Sequence, residues 1–147
     1  MSDVTSFAQP LRIVWAAVIA GAAMVVAVMG WLATETEAHA LAEHAEVGFY
    51  AVALLSAATI AGAFALIRVM EGKLMAAESD AQAEGLIRTF GIASLALAEV
   101  GAFAGAIAAF LTGDLLALAF AATFFGFAFL VWPSDDRVGG WLALRRL

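Results

Sequence analysis

Hydrophobic and polar positions fall in long blocks along this chain, without the short alternation of a half-buried sheet. Four apolar runs follow one another, at residues 11–33, 49–67, 89–112 and 115–131. A bilayer-spanning helix needs about 20 mainly apolar residues, which the runs supply or approach. The first, Leu11 to Ala33, is uncharged after Arg12, with Pro10 just ahead of it as a helix-start residue. The second, Phe49 to Ile67, is closed by Arg68. The third, Thr89 to Thr112, carries one charge, Glu99, and would be roughly 36 Å long at about 1.5 Å per residue. The fourth, Leu115 to Val131, is shorter and ends at Trp132-Pro133, where proline stops a helix. Between the second and third runs, "VMEGKLMAAESDAQAEG" is too polar to span and is expected to extend the flanking helices around a turn near Ser79-Asp80. The pattern predicts an all-α integral membrane protein, a bundle of four transmembrane helices, with residues 1–147 forming a single membrane domain.

Charge gives this bundle an orientation. Every Lys and Arg lies in the N-terminal arm (Arg12), the middle connection (Arg68, Lys73, Arg88) or the C-terminal tail (Arg137, Arg145, Arg146). Segments 34–48 and 112–114 have none. By the positive-inside rule both termini and the middle connection face the cytoplasm. The tail "DDRVGGWLALRRL" reads as interfacial, with Trp141 at headgroup depth and Arg145 and Arg146 meeting anionic lipid. Trp15, Trp31 and Trp132 also fall near span ends, where an aromatic belt is expected.

Composition agrees with the membrane class. Of the 147 residues 65% are hydrophobic and 14% charged, against about 45–50% and 25% in soluble domains. There is no cysteine, which excludes disulfides, thiol chemistry and Cys-based metal sites. The net charge of -6 comes from acidic connections and offers nucleic acid no basic face. The N-terminus lacks the basic start and cleavage site of a signal peptide, so the first helix is expected to be retained. The expected setting is a bacterial-type inner membrane.

Glu99 is the candidate chemical group. A charge at a helix centre costs roughly 2.5–3.5 kcal/mol on insertion scales, so the side chain should face the bundle interior and rest as the neutral acid. Hydroxyls at its depth are Thr59 and Ser56 on the second run and Thr123 on the fourth, whereas the first run offers none. Two helical residues turn through about 200°, so Gly101 and Gly105, a GxxxG pair, face away from Glu99 and suit close helix packing. In the segment 34–48, Glu35, His39 and Glu43 would share a face able to hold a divalent cation if that segment were helical. A solvated acidic turn is the simpler reading, since Thr34 and Glu37 resemble a capping box. No nucleophile motif or phosphate loop is present, so neither an enzyme nor a cofactor is expected.

The stretch "FGIASLALAEVGAFAGAIAAFL", residues 90–111, resembles the carboxylate-bearing helix of rotary-ATPase proteolipids (subunit c). In that family a glutamate in a Gly/Ala-rich helix binds the translocated proton or sodium ion, and the resemblance implies this role for Glu99. The connection that faces the cytoplasm in the family corresponds to residues 68–88 here. The preceding helix departs from the family's GxGxG pattern, with Gly62 its one glycine between residues 51 and 67. The expectation is a non-enzymatic protein in which Glu99 binds a proton or cation, working in the lipid bilayer as a homo-oligomer or with other membrane subunits. The alternative is a structural or accessory subunit in which Glu99 only hydrogen-bonds between helices.

Overall fold

The structure is a computed structural model that describes residues 4–37 and 39–145. Five α-helices make up the architecture: α1 (Val4–Glu35), α2 (Ala45–Met75), α3 (Asp80–Thr112), α4 (Ala119–Leu130) and α5 (Asp135–Leu144). Short 3-10 turns at Ala42–His44 and Leu115–Leu118 precede α2 and α4. No strand occurs among the described residues. Three of the helices, α1, α2 and α3, are long and apolar enough to cross a membrane. The fourth apolar run is less regular. It starts in the 3-10 turn, continues as α4, and bends by 68° into α5 across Pro133.

Local chemistry fixes the helix ends. Residues 76–79 form the turn where the polar residues of the middle connection lie. Ser79 caps α3 by accepting from the Gln82 backbone N–H at 3.2 Å, while Gln82 Oε1 accepts from the Glu78 N–H at 2.8 Å. This is a near relative of the capping box. At the other end Gly113 takes the left-handed conformation, φ 74°, and its N–H closes on the Ala109 carbonyl at 2.9 Å. Ser134 starts α5 by accepting from the Arg137 N–H.

α3 is the central helix and touches each of the other four. Its small buried residues, Ala98, Ala102 and Ala106 among them, let neighbours close in. Phe124, Phe127, Leu95 and Ile87 fill the spaces that remain. α1 and α3 start at the same end of the bundle, where the Arg88 guanidinium lies 5.8 Å from the centre of the Phe7 ring. Every described Lys and Arg gathers at this end. Arg12 reaches Pro133 O at 2.9 Å and Asp135 at 2.5 Å, and Arg145 pairs with Asp80. The opposite end carries Glu35, Glu43, Glu46 and Asp114 and no Lys or Arg among the described residues.

Several expectations need correction. α1 begins at Val4, so Pro10 lies inside the helix and does not start it. Its missing N–H removes one rung from a helix of 32 residues, a loss the long run absorbs. Trp15 is not a belt residue. It is fully buried, on the stripe of α1 formed by Phe7, Ala8, Leu11 and Ala22 that packs into the core. Trp31 is the one that stays exposed, at 61%. The tail folds onto the protein, with Trp141 packed into the bundle and Arg145 held by Asp80, so Arg145 is not free to meet lipid as expected, whereas the depth of Trp141 is unaffected. Arg146 lies outside the described residues.

Candidate functional site

The glycines of α3 fix how it sits against its neighbours. A Cβ on Gly101 would stand 2.6 Å from Ser56 Oγ and 3.1 Å from Ser56 Cα. One on Gly105 would stand 2.5 Å from the Ala117 carbonyl oxygen. The GxxxG pair is thus filled within the chain, by α2 on one side and the turn before α4 on the other. Leu97 extends the α2 contact, its methyl 3.0 Å from where a Cβ on Gly62 would lie.

Glu99 belongs to a different side. Helical spacing puts it in line with Arg88 and Ile92, which line a groove with Pro10, Leu11 and Val14 of α1. α1 and α3 run parallel, and Glu99 lies about 16 Å beyond Arg88 along the axis. At that level α1 offers Val18, Ile19, Gly21 and Ala22, none with a side-chain hydrogen-bonding group. Glu99 is half-buried and makes no hydrogen bond or ion pair among the described residues.

The structure does not bring the three expected hydroxyl partners to this carboxyl. Thr59 is buried but donates to Ser56 O at 3.1 Å. Thr123 is exposed and donates to Phe120 O at 2.6 Å. Ser56 is buried against the glycine face, about 200° around α3 from Glu99, with its Oγ unpartnered. Ser94, on α3 itself, donates back to Gly91 O at 2.9 Å. Each bonded hydroxyl takes the nearest carbonyl of its own helix, the local option open to Ser and Thr in helix interiors.

The acidic connection does not form the face that would align Glu35, His39 and Glu43. The chain leaves α1 after Glu35, so the i, i+4, i+8 relation is lost. Thr34 sits in the last turn of α1 and donates to Trp31 O, so it caps no new helix. The His39 Nδ1–H donates to Phe110 O at 2.9 Å, and its ring lies over Gly113, where a Cβ would meet it at 2.6 Å. Among the described residues no three His, Asp or Glu side chains are grouped closely enough to hold a metal ion.

Sequence reasoning missed the ties that hold the basic end together, Arg12 to Asp135 and Arg145 to Asp80. The Ser79-x-x-Gln82 signature was the one readable sign of where α3 begins. Fold and site together define a class: an all-helical protein with three long apolar helices and one ionisable side chain halfway along the central one. Comparison with known protein families, characterised proteins and solved structures finds no match to this chain.

Proposed function

We propose that this chain is a small, non-enzymatic, four-span membrane protein with both termini in the cytoplasm, and that Glu99 takes up a proton or cation within the bilayer. The bent α4–α5 pair supplies the fourth crossing, and the membrane is of the bacterial inner type. One observation carries the reading: Glu99 is half-buried at mid-helix while every nearby hydroxyl is engaged elsewhere or on the far face of α3. A carboxylate at that depth needs a counter-charge or a proton, because lipid supplies neither. The proteolipid-like character of residues 90–111 points to the same chemistry. The site works within an oligomer or a larger complex, since one carboxyl in one bundle makes no path across a membrane.

A hydrophobic carbodiimide, which modifies protonated membrane carboxyls, tests this. Labelling of the folded protein should occur at Glu99, fall as pH rises, and vanish in Glu99→Gln. If a cation competes with the proton, that cation should protect the site. Glu99→Leu should leave the stability of the single chain unchanged, because no partner is stranded by it. A folded sample that resists labelling at every pH would overturn the proton-binding reading.

A second reading has its own support. α1 leaves Ile13, Met24, Val28 and Trp31 exposed, a broad apolar surface opposite the stripe it packs into the bundle. An accessory subunit that covers this surface and reaches past the edge of α1 would hydrogen-bond the half-buried Glu99. Labelling that appears only after the complex is dissociated would favour this alternative.

A further inference from the structure

We infer that the groove between α2 and α5 at the basic end is a binding site for the phosphate headgroup of an anionic phospholipid, gripped by Arg68 and Arg137. The inference rests on the membrane reading above, in which this end lies at the bilayer boundary. The groove, about 180 Å³, is lined by Phe64, Ile67, Arg68, Glu71, Val131, Arg137 and Trp141.

The two guanidiniums come from separate helices and are differently committed. Arg68 closes the apolar run of α2, is 84% exposed, and pairs with Glu71 at 3.1 Å. Arg137 lies in the first turn of α5, is exposed, and its side chain has no hydrogen bond or ion pair among the described residues. A planar guanidinium matches phosphate oxygens in two-point contacts, and a ligand phosphate would compete with Glu71 for Arg68.

The apolar walls select a lipid over a soluble anion. One turn deeper than Arg68, Phe64 is 43% exposed and stacks edge-on against Phe127 at 5.0 Å, closing the lower end of the groove. Trp141, Ile67 and Val131 are buried along the inner wall. The 68° bend between α4 and α5 opens the groove at the level where apolar helix gives way to charge. A lipid phosphate meets both features at once, with the headgroup at the arginines and an acyl chain running past Phe64. Arg145, the residue the sequence offers most plainly to anionic lipid, is occupied by Asp80.

Native mass spectrometry of the full chain from mild detergent, titrated with phosphatidylglycerol or phosphatidylcholine, tests the site. The first phosphatidylglycerol should bind well ahead of phosphatidylcholine. Arg68→Gln with Arg137→Gln should weaken it about 30-fold, at roughly one charge interaction per arginine. The charge-matched pair Lys73→Gln with Arg88→Gln should leave it within a few-fold of wild type. Equal loss in both double variants would mean diffuse attraction and would overturn the site, as would equal binding of the two lipids. Inorganic phosphate that displaces the lipid and binds alone in the same groove would overturn the lipid assignment. Carbonate extraction of cell membranes separates the two readings. A chain that resists extraction but binds lipid unaltered by the arginine variants refutes the groove alone, whereas an extractable chain refutes the membrane reading.

Discussion

Adding one methyl at Gly105 should destabilise this bundle more than adding it at any other described glycine within a helix. The new Cβ would stand 2.5 Å from the Ala117 carbonyl oxygen and 3.4 Å from Phe120 Cβ. Ordinary contact begins near 3.4 Å, so the carbonyl must retreat by about 0.9 Å, and a backbone atom cannot rotate away as a side chain can. Overpacking of this kind costs about 1–3 kcal/mol, and Gly105→Ala belongs in the upper part of that range. Gly101→Ala meets Ser56 Oγ at 2.6 Å, which can swing aside, and Ser56 Cα at 3.1 Å, which cannot. Its cost should be about 1 kcal/mol. The two glycines lie one turn, about 6 Å, apart on α3, and either substitution pushes that helix outward, so the double variant should lose less than the sum.

Gly91→Ala on the same helix is the control. Gly91 is buried, yet a Cβ there meets nothing within 4 Å, so the variant should match or slightly exceed wild type. Unfolding in mixed micelles, followed by helical circular dichroism, reads all three. If Gly105→Ala unfolds with wild type and Gly91→Ala, the close approach of α3 to the turn before α4 is wrong. If instead a complex dissociates while the single chain keeps its stability, the glycine face meets another subunit.

Two further outcomes follow from the charges. With no native cysteine in the chain, a cysteine at Ala40 should react with an impermeant thiol reagent from outside intact cells, and one at Glu78 only after permeabilisation; the reverse pattern would invert the orientation. Arg12→Ala should free the start of α5, since it removes the bonds to Pro133 O and Asp135, and limited proteolysis should then cut within α5 several-fold faster; an unchanged rate would show that Val138 and Trp141 hold α5 without it.

What the sequence made legible was set by quantities that survive averaging along a helix. Long apolar runs specify α1, α2 and α3, and the cluster around Ser79 specifies the turn between the last two. The separation of Arg12, Arg68, Arg88, Arg137 and Arg145 from Glu35, Glu43 and Asp114 reappears as a basic end and an acidic end. Azimuth was not legible. In an alanine-rich helix most side chains carry no preference for core or lipid, so Trp15 read as interfacial when its stripe points inward. Ser56 and Thr59 were at the right depth for Glu99, but depth says nothing about which side of α3 they approach. The first run ends at Ala33, close to the end of α1 at Glu35, but the path of the connection after it was hidden, because acidic residues suit a solvated helix and a solvated coil equally.

The placement of Glu99 follows from the glycines. Gly101 draws α2 onto one side of α3, and Gly105 draws the turn before α4 onto another. Turning α3 to present Glu99 to Thr59 or Ser56 would carry both glycines out of contact and drive larger side chains such as Phe103 against the neighbouring backbones. Close packing and carboxyl satisfaction therefore compete for the same rotation. The packing wins, because two backbone approaches along the helix outweigh one hydrogen bond, worth about 0.6–2 kcal/mol within a membrane. The third side of α3 falls to α1, whose residues at that depth are all apolar. An acid that served only to tie this chain's own helices together would sit on a side that has hydroxyls to offer. Glu99 is held on the side that has none, and on the reading proposed above it is completed from outside the chain, by a proton, a cation or a neighbouring subunit.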